Sequence, residues 1–111
     1  MSYKEGSESY AESMGKKYLV DDLISLAENS PTYDVSIDEV DWVLEYAKPD
    51  EVRILKADLT VPVIVTEERV SGKNRLVVLD GLHRLAKAKR LGKKTIRAKF
   101  LTQKELRKIQ K

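Results

Sequence analysis

Asp80-Gly81-Leu82-His83-Arg84 gathers the residue types best able to do chemistry in this chain. The apolar run Leu76-Val77-Val78-Leu79 before it reads as a buried strand, and the residues after it read as a helix. Histidine and arginine therefore fall in the first turn of a helix. That end of a helix carries about half a positive charge, so cations are mildly unfavourable there and anions are welcome. Free amides, a glycine that lets backbone approach closely and two side chains that donate to phosphate describe an anion site. His83 is the single histidine of the chain. On a helical wheel Leu82, Leu85 and Ala86 share the face that packs on a sheet, while His83, Lys87 and Arg90 share a neighbouring arc. The candidate phosphate ligands are Gly81, His83, Arg84 and Lys87, and the candidate catalytic residues are Asp80 and His83. Asp80 has two compatible readings of equal weight. It is an N-cap that accepts a first-turn amide, or a carboxylate that orients a hydroxyl nucleophile or helps hold Mg²⁺ beside bound phosphates.

The elements that must position these residues belong to one small domain. At 111 residues, with 41% hydrophobic and 35% charged content, the chain can build a single core under a well-solvated surface. No apolar run approaches the roughly 20 residues that span a bilayer, and residues 1 to 16 are too polar for a signal peptide. A cytoplasmic protein without a membrane partner is expected. Zero cysteines exclude disulfides and thiol nucleophiles, and with one histidine no resident metal site is expected. Residues 1–51 hold four lysines against 13 acidic residues, a net of −9, whereas residues 52–111 carry a net of +12. Either the halves dock on each other, or the basic half meets an anionic partner.

Residues 1–16 lack apolar periodicity and read as a flexible arm preceding a domain over 17–111. Tyr18 to Leu26 reads as a short helix, with Tyr18-Leu19-Val20 as a strand being the alternative. Ser36 and Glu39 form a capping box that opens a helix through Val40, Val43, Leu44 and Ala47, ended by Pro49. Val52, Ile54 and Ala57 hint at a short strand. Val61 to Thr66 and Leu76 to Leu79 read as strands joined by a turn at Ser71-Gly72-Lys73-Asn74. The helix from Gly81 stops at Gly92, a strand follows over Thr95 to Phe100, and Thr102 with Glu105 caps a last basic helix. The expected fold is α+β: a small mixed sheet with helices packed on it.

The sequence Leu76-Val77-Val78-Leu79-Asp80-Gly81-Leu82-His83-Arg84-Leu85-Ala86-Lys87-Ala88, followed by Leu91-Gly92 and Thr95-Ile96, resembles the ParB/sulfiredoxin-like nuclease superfamily. Ala57 to Val65 resembles the strand that precedes the motif there. The likeness implies a nucleotide-binding fold, with phosphate contacts from Gly81, His83 and Arg84 and with Asp80 as a catalytic or metal-associated carboxylate. Sulfiredoxins carry their reactive cysteine where this chain has Leu82, so sulfiredoxin chemistry is not expected. ParB proteins have a Glu-Arg-Arg-like turn and a following helix-turn-helix domain, and a complete partition protein is not expected from 111 residues. The free serine kinases of the group share the Asp-Gly-x-His-Arg turn. Their second catalytic carboxylate lies in an N-terminal region, for which Asp21, Asp22 and Glu28 are unranked candidates.

The first functional expectation is a nucleotide-phosphate-binding domain acting as an NTP hydrolase or small-molecule phosphotransferase. Its cofactor or substrate would be a nucleoside di- or triphosphate, with or without Mg²⁺. The alternatives are a DNA-binding or nuclease module using the basic C-terminal half, and a non-catalytic adaptor; a protein partner would suit the acidic N-terminal half. Nucleotide is favoured over DNA because the cations cluster at one turn and aromatic platforms for base stacking are few.

Overall fold

β-branched runs set the sheet. Val63–Val70 (β4) and Lys73–Asp80 (β5) pair antiparallel through a tight turn in which Ser71 and Gly72 take positive φ, 51° and 80°. The pairing steps from Ile64↔Asp80 to Val65↔Val78, so Leu79 is a bulge in β5 directly before Asp80, where the candidate site begins. Thr95–Phe100 (β6) lies on the other side of β4 and parallel to it, and Thr32–Ser36 (β3) pairs antiparallel with β6. The strand order is β3-β6-β4-β5, a mixed four-stranded sheet. The computed structural model describes residues 10–13 and 15–111.

Each face of the sheet is covered. On one, Val63, Val65, Val77, Ile96 and Ala98 meet Leu85 and Ala88 of Leu82–Arg90 (α4), together with Ile37 and Val40 of Ile37–Val40 (α2) and Val43 of a following 3-10 turn, Asp41–Glu45. Trp42 of that turn donates its Nε1–H to the Leu76 carbonyl at 2.9 Å, and the Arg75 guanidinium lies 4.5 Å over its ring. On the other face Ile64 and Leu79 meet Leu23 and Ala27 of Val20–Ala27 (α1), and Leu106 of Gln103–Arg107 (α5). The α5 capping box forms as expected: the Thr102 hydroxyl accepts the Glu105 amide at 3.1 Å, and the Glu105 carboxylate accepts the Thr102 amide at 3.0 Å.

Three local expectations are corrected. Over the described part of residues 1–16 the chain is not an arm: Tyr10–Ser13 (β1) pairs with Lys16–Leu19 (β2), and Ala11, Ser13 and Tyr18 are buried. Residues 1–9 and 14 of the expected arm lie outside the described residues. Polar anchoring fastens this hairpin where apolar pattern is thin. The buried Glu68 carboxylate accepts from the Ser13 hydroxyl at 3.4 Å and from Lys16 at 3.3 Å, and Lys16 also donates to Gln103 of α5 at 3.0 Å. Both readings of the Tyr18 region are realised in part, a strand to Leu19 and then a helix. The Ser36 capping box does not form: Ser36 still belongs to β3, paired with Thr95, and its side chain accepts no amide of the helix. The expected strand at Val52 to Ala57 is a helix, Glu51–Lys56 (α3). Its N-cap Asp50 accepts the Arg53 amide at 3.0 Å, directly after Pro49.

The charge asymmetry resolves in part inside the fold. Lys89 pairs with Asp41 at 3.2 Å, Arg90 with Glu51, and Lys111 with Asp22 at 3.9 Å, so basic and acidic halves meet. Glu68→Ala would strand the Ser13 hydroxyl and leave Lys16 with Gln103 alone. It is expected to cost roughly 1–3 kcal/mol in urea unfolding, with the Ala11 and Tyr18 amides losing exchange protection before those of β4 and β5.

Candidate functional site

The strand-to-helix corner is built on a glycine that nothing else can replace. Gly81 has φ +108°, and a β-carbon there would stand 2.6 Å from Cγ1 of Val63 and 3.1 Å from the Arg84 guanidinium. The close approach to β4 turns the chain out of β5 and aims the start of α4 into a cleft of about 420 Å³. The first helical hydrogen bond of α4 runs from the Leu85 amide to the Gly81 carbonyl at 2.9 Å. The amides of Leu82, His83 and Arg84 precede it and have no partner within the helix. Asp80 and Leu79 supply the floor, α4 supplies Leu82, His83 and Arg84, and α3 with the residues after it supplies Arg53, Lys56 and Asp58. The hairpin contributes Ala11 and Glu12.

Asp80 is not the N-cap; Gly81 occupies that position and no side chain caps it. Asp80 ends β5, and its Oδ2 accepts from Arg84 Nη2 at 3.0 Å. Arg84 also donates from Nη1 to the carbonyls of Pro62 at 3.1 Å and Val61 at 3.4 Å. A cation at the positive end of a helix is thereby accounted for: one carboxylate and two carbonyls surround it. The guanidinium ties the segment before β4 to the helix start while its side chain still lines the cleft.

His83 reaches the cleft and accepts the Asp50 amide at Nε2, 3.1 Å, which requires the neutral ring with its proton on Nδ1. Burial holds the imidazole below its usual pKa, with the Arg53 and Arg84 charges adding to the effect and Asp50 and Asp80 opposing it. Asp58 is held below the usual carboxylate range by the Thr60 hydroxyl and amide, at 2.6 and 2.9 Å, with Lys87 and Arg84 adding weakly.

Lys87 goes elsewhere. Its ammonium donates to the carbonyls of Ala57 at 2.8 Å and Leu55 at 3.0 Å, capping the end of α3 away from the cleft lining. Of the expected ligands, then, Gly81, His83 and Arg84 come together with Asp80, and Lys87 does not join them. None of the three acidic candidates from the N-terminal region lines this cleft. Asp22 pairs with Lys111, and Glu28 borders an adjoining groove that Asp80, Arg84 and Lys99 also line. The residue that does line it from that region is Glu12, which sequence reading missed because it fell within the expected arm. Arg53 and Lys56 were missed with the helix that carries them; Pro49-Asp50-Glu51 is the helix-start signal that would have found it.

Among the described residues, no three histidine or acidic side chains converge closely enough to hold a metal ion. Asp80 has one oxygen committed to Arg84, so a Mg²⁺ would arrive with bound phosphates and take most of its ligands from their oxygens and water. No helix among the described residues is long and apolar enough to cross a membrane.

A mixed α+β sheet with this strand-glycine-helix corner is a sulfiredoxin-like fold. Among solved structures, sulfiredoxin from Arabidopsis thaliana is similar, with a TM-score of 0.50 and 21% identity; the match covers 70% of this chain and 94% of that one. That likeness speaks for the fold, not for shared chemistry. No protein-family model and no curated protein matches the chain.

Two outcomes follow from the geometry. Gly81→Ala combines positive φ with a clash against Val63 and is expected to destabilise by roughly 2–4 kcal/mol in denaturant unfolding. The His83 pKa is lower folded than unfolded, so below about pH 6.5 the unfolded chain binds more protons there. Stability is therefore expected to fall as pH drops from 6.5 through the folded pKa, and His83→Gln should remove that slope from the pH dependence of unfolding.

Proposed function

We propose that the cleft at the start of α4 binds the phosphates of a nucleoside di- or triphosphate, and that the chain is an NTP hydrolase or a small-molecule phosphotransferase. The observation that carries this reading is the meeting of three helix-start amides with a cleft whose facing wall presents Arg53 and Lys56. A phosphate seated on the amides of Leu82, His83 and Arg84 would lie beside the Nδ1–H of His83. Its neighbour in the polyphosphate would extend toward Arg53 and Lys56. Arg84 serves here chiefly as the tie that fixes Asp80 and the helix start, rather than as a freely moving phosphate clamp.

The chemistry asked of the protein is positioning and charge neutralisation. A hydroxyl, from water or a small alcohol, forms a new O–P bond to the terminal phosphoryl group as the bridging P–O bond breaks. The shorter nucleotide leaves with that bond's electron pair, and the hydroxyl proton passes to a carboxylate. Asp80 fits that task because Arg84 holds one of its oxygens and orients the other. Glu12 enters from the hairpin as a second carboxylate that would hold an acceptor hydroxyl. The kinship to the free serine kinases suggested by the Asp-Gly-x-His-Arg turn agrees with this pairing of carboxylates across a phosphate site.

The test is a titration of ¹⁵N-labelled protein with ADP, ATP, CTP, inorganic pyrophosphate and a short DNA duplex, each at two salt concentrations. A nucleotide is expected to shift the Leu82, His83 and Arg84 amides at submillimolar to millimolar concentration, with the duplex weaker and strongly salt-dependent. Unmoved amides with every nucleotide, or tighter binding to duplex than to any nucleotide, would overturn the reading. Asp80→Asn is expected to keep affinity within several-fold while abolishing phosphate release or transfer; unchanged turnover would leave Asp80 a structural partner of Arg84.

A further inference from the structure

The two margins of the four-stranded sheet, β5 and β3, are finished differently. At the β5 margin Trp42 takes the outward carbonyl of Leu76 through its Nε1–H at 2.9 Å. The β3 margin has no such cover. The Ile37 amide bonds the Lys94 carbonyl, so by alternation Tyr33 and Val35 direct their backbone groups to β6, whereas Thr32 and Asp34 direct theirs away from the sheet. Among the described residues no group meets those outward amides and carbonyls. Both Tyr33 and Asp34 are exposed, Tyr33 by 40%. An uncovered row of this kind is a template for another strand.

The side chains select the strand that fits. Thr32 and Asp34 lie on the sheet face of their pairing residues Lys99 and Arg97, and Tyr33 lies on the other face beside Ala98. Asp34 makes no ion pair among the described residues. Thr32-Tyr33-Asp34 is self-complementary about its centre. In an antiparallel match of two copies centred on Tyr33, each Thr32 faces the partner's Asp34, and the backbones exchange both hydrogen bonds at each such pair. The threonine hydroxyl then donates to the facing carboxylate, twice by symmetry. The Tyr33 rings meet across the axis at the closer, non-hydrogen-bonded spacing, where aromatic pairs stabilise a sheet. Across the joint the side chains run Arg97, Asp34, the partner's Thr32, the partner's Lys99, with no like charges adjacent. A match centred on Asp34 would instead set two carboxylates directly opposite each other, which is unfavourable.

We infer that β3 is a self-association edge: two copies of this chain pair through Thr32 to Asp34, antiparallel about Tyr33, and join their four-stranded sheets into one. The contact is short, so the dimer is weak and depends on concentration. None of its residues lines the cleft at the start of α4, and the pairing stands apart from the nucleotide reading.

The experiment is sedimentation velocity of the full chain from about 10 µM to about 1 mM, a span suited to weak contacts of this size. The chain is expected to pass from monomer to dimer over that range. Tyr33→Lys sets two ammonium groups at the axis, and Asp34→Pro removes an outward amide that the monomer does not use. Each is expected to keep the folded amide spectrum of the monomer and to weaken the dimer at least tenfold. The chain has no cysteine, so single cysteines report the register cleanly. Tyr33→Cys should trap a disulfide-linked dimer under mild oxidation, whereas Asp34→Cys, whose α-carbons stand roughly 8 Å apart in this register, should not. A chain that stays monomeric throughout, a dimer that both variants leave intact, or trapping through Asp34→Cys in preference to Tyr33→Cys would each overturn the pairing. Should Asp34→Pro fail to fold, Tyr33→Lys and the two cysteine variants decide.

Discussion

The approach of Gly81 to Val63 is the constraint on which the rest of the corner depends. With the Val63 side chain 2.6 Å from where a β-carbon would stand, only glycine fits at the sharp turn out of β5, and that turn sets the direction of α4. Because α4 starts there, its free amides open on a cleft and not on the sheet. Arg84 completes the corner by drawing Asp80 and the Val61 and Pro62 carbonyls onto one guanidinium. The turn and one multidentate cation thus fix where α4 begins while its first-turn amides stay uncapped.

The same helix organises its surroundings along two edges. Its apolar edge, Leu85 and Ala88, enters the core, and its polar edge, His83, Lys87 and Arg90, receives α3. Side chains that look like a cationic rim for a ligand are, for Lys87 and Arg90, fittings for another part of the chain. The ion pairs Lys89–Asp41, Arg90–Glu51 and Lys111–Asp22 repeat the pattern more widely, since each joins the basic half to the acidic half. Charge segregated along a sequence need not mean charge segregated on a surface.

Much of this was legible where period and turn chemistry agree. The β4–β5 hairpin, the stop at Gly92, the last strand and the Thr102–Glu105 box all rest on strong local signals, and all are present. The corner at Asp80 to Arg84 was legible as a place of unusual residue types. Its internal wiring was not, because whether Arg84 meets a ligand or a carbonyl depends on where residues 61 and 62 pass. β3 was missed since five residues after a proline give too short an alternation to read. α3 was misread because Val52 and Ile54 suggest a strand, while the deciding feature is a single aspartate cap. The hairpin at β1 and β2 has too thin an apolar pattern to read; besides Ala11 and Tyr18 in the core, its attachment lies in Glu68, about 50 residues away.

The place of β6 in the sheet has a consequence for how the protein comes into being. Among the described residues, Thr95–Phe100 is the only strand that joins β3 to the remainder, so Thr32–Ser36 leaves the ribosome some sixty residues ahead of its partner. Until translation reaches that segment, the nascent chain can close the β4–β5 ribbon but must leave the earlier strand unmatched. Assembly is therefore obliged to finish late and all at once, as the non-local pairing of such topologies generally demands.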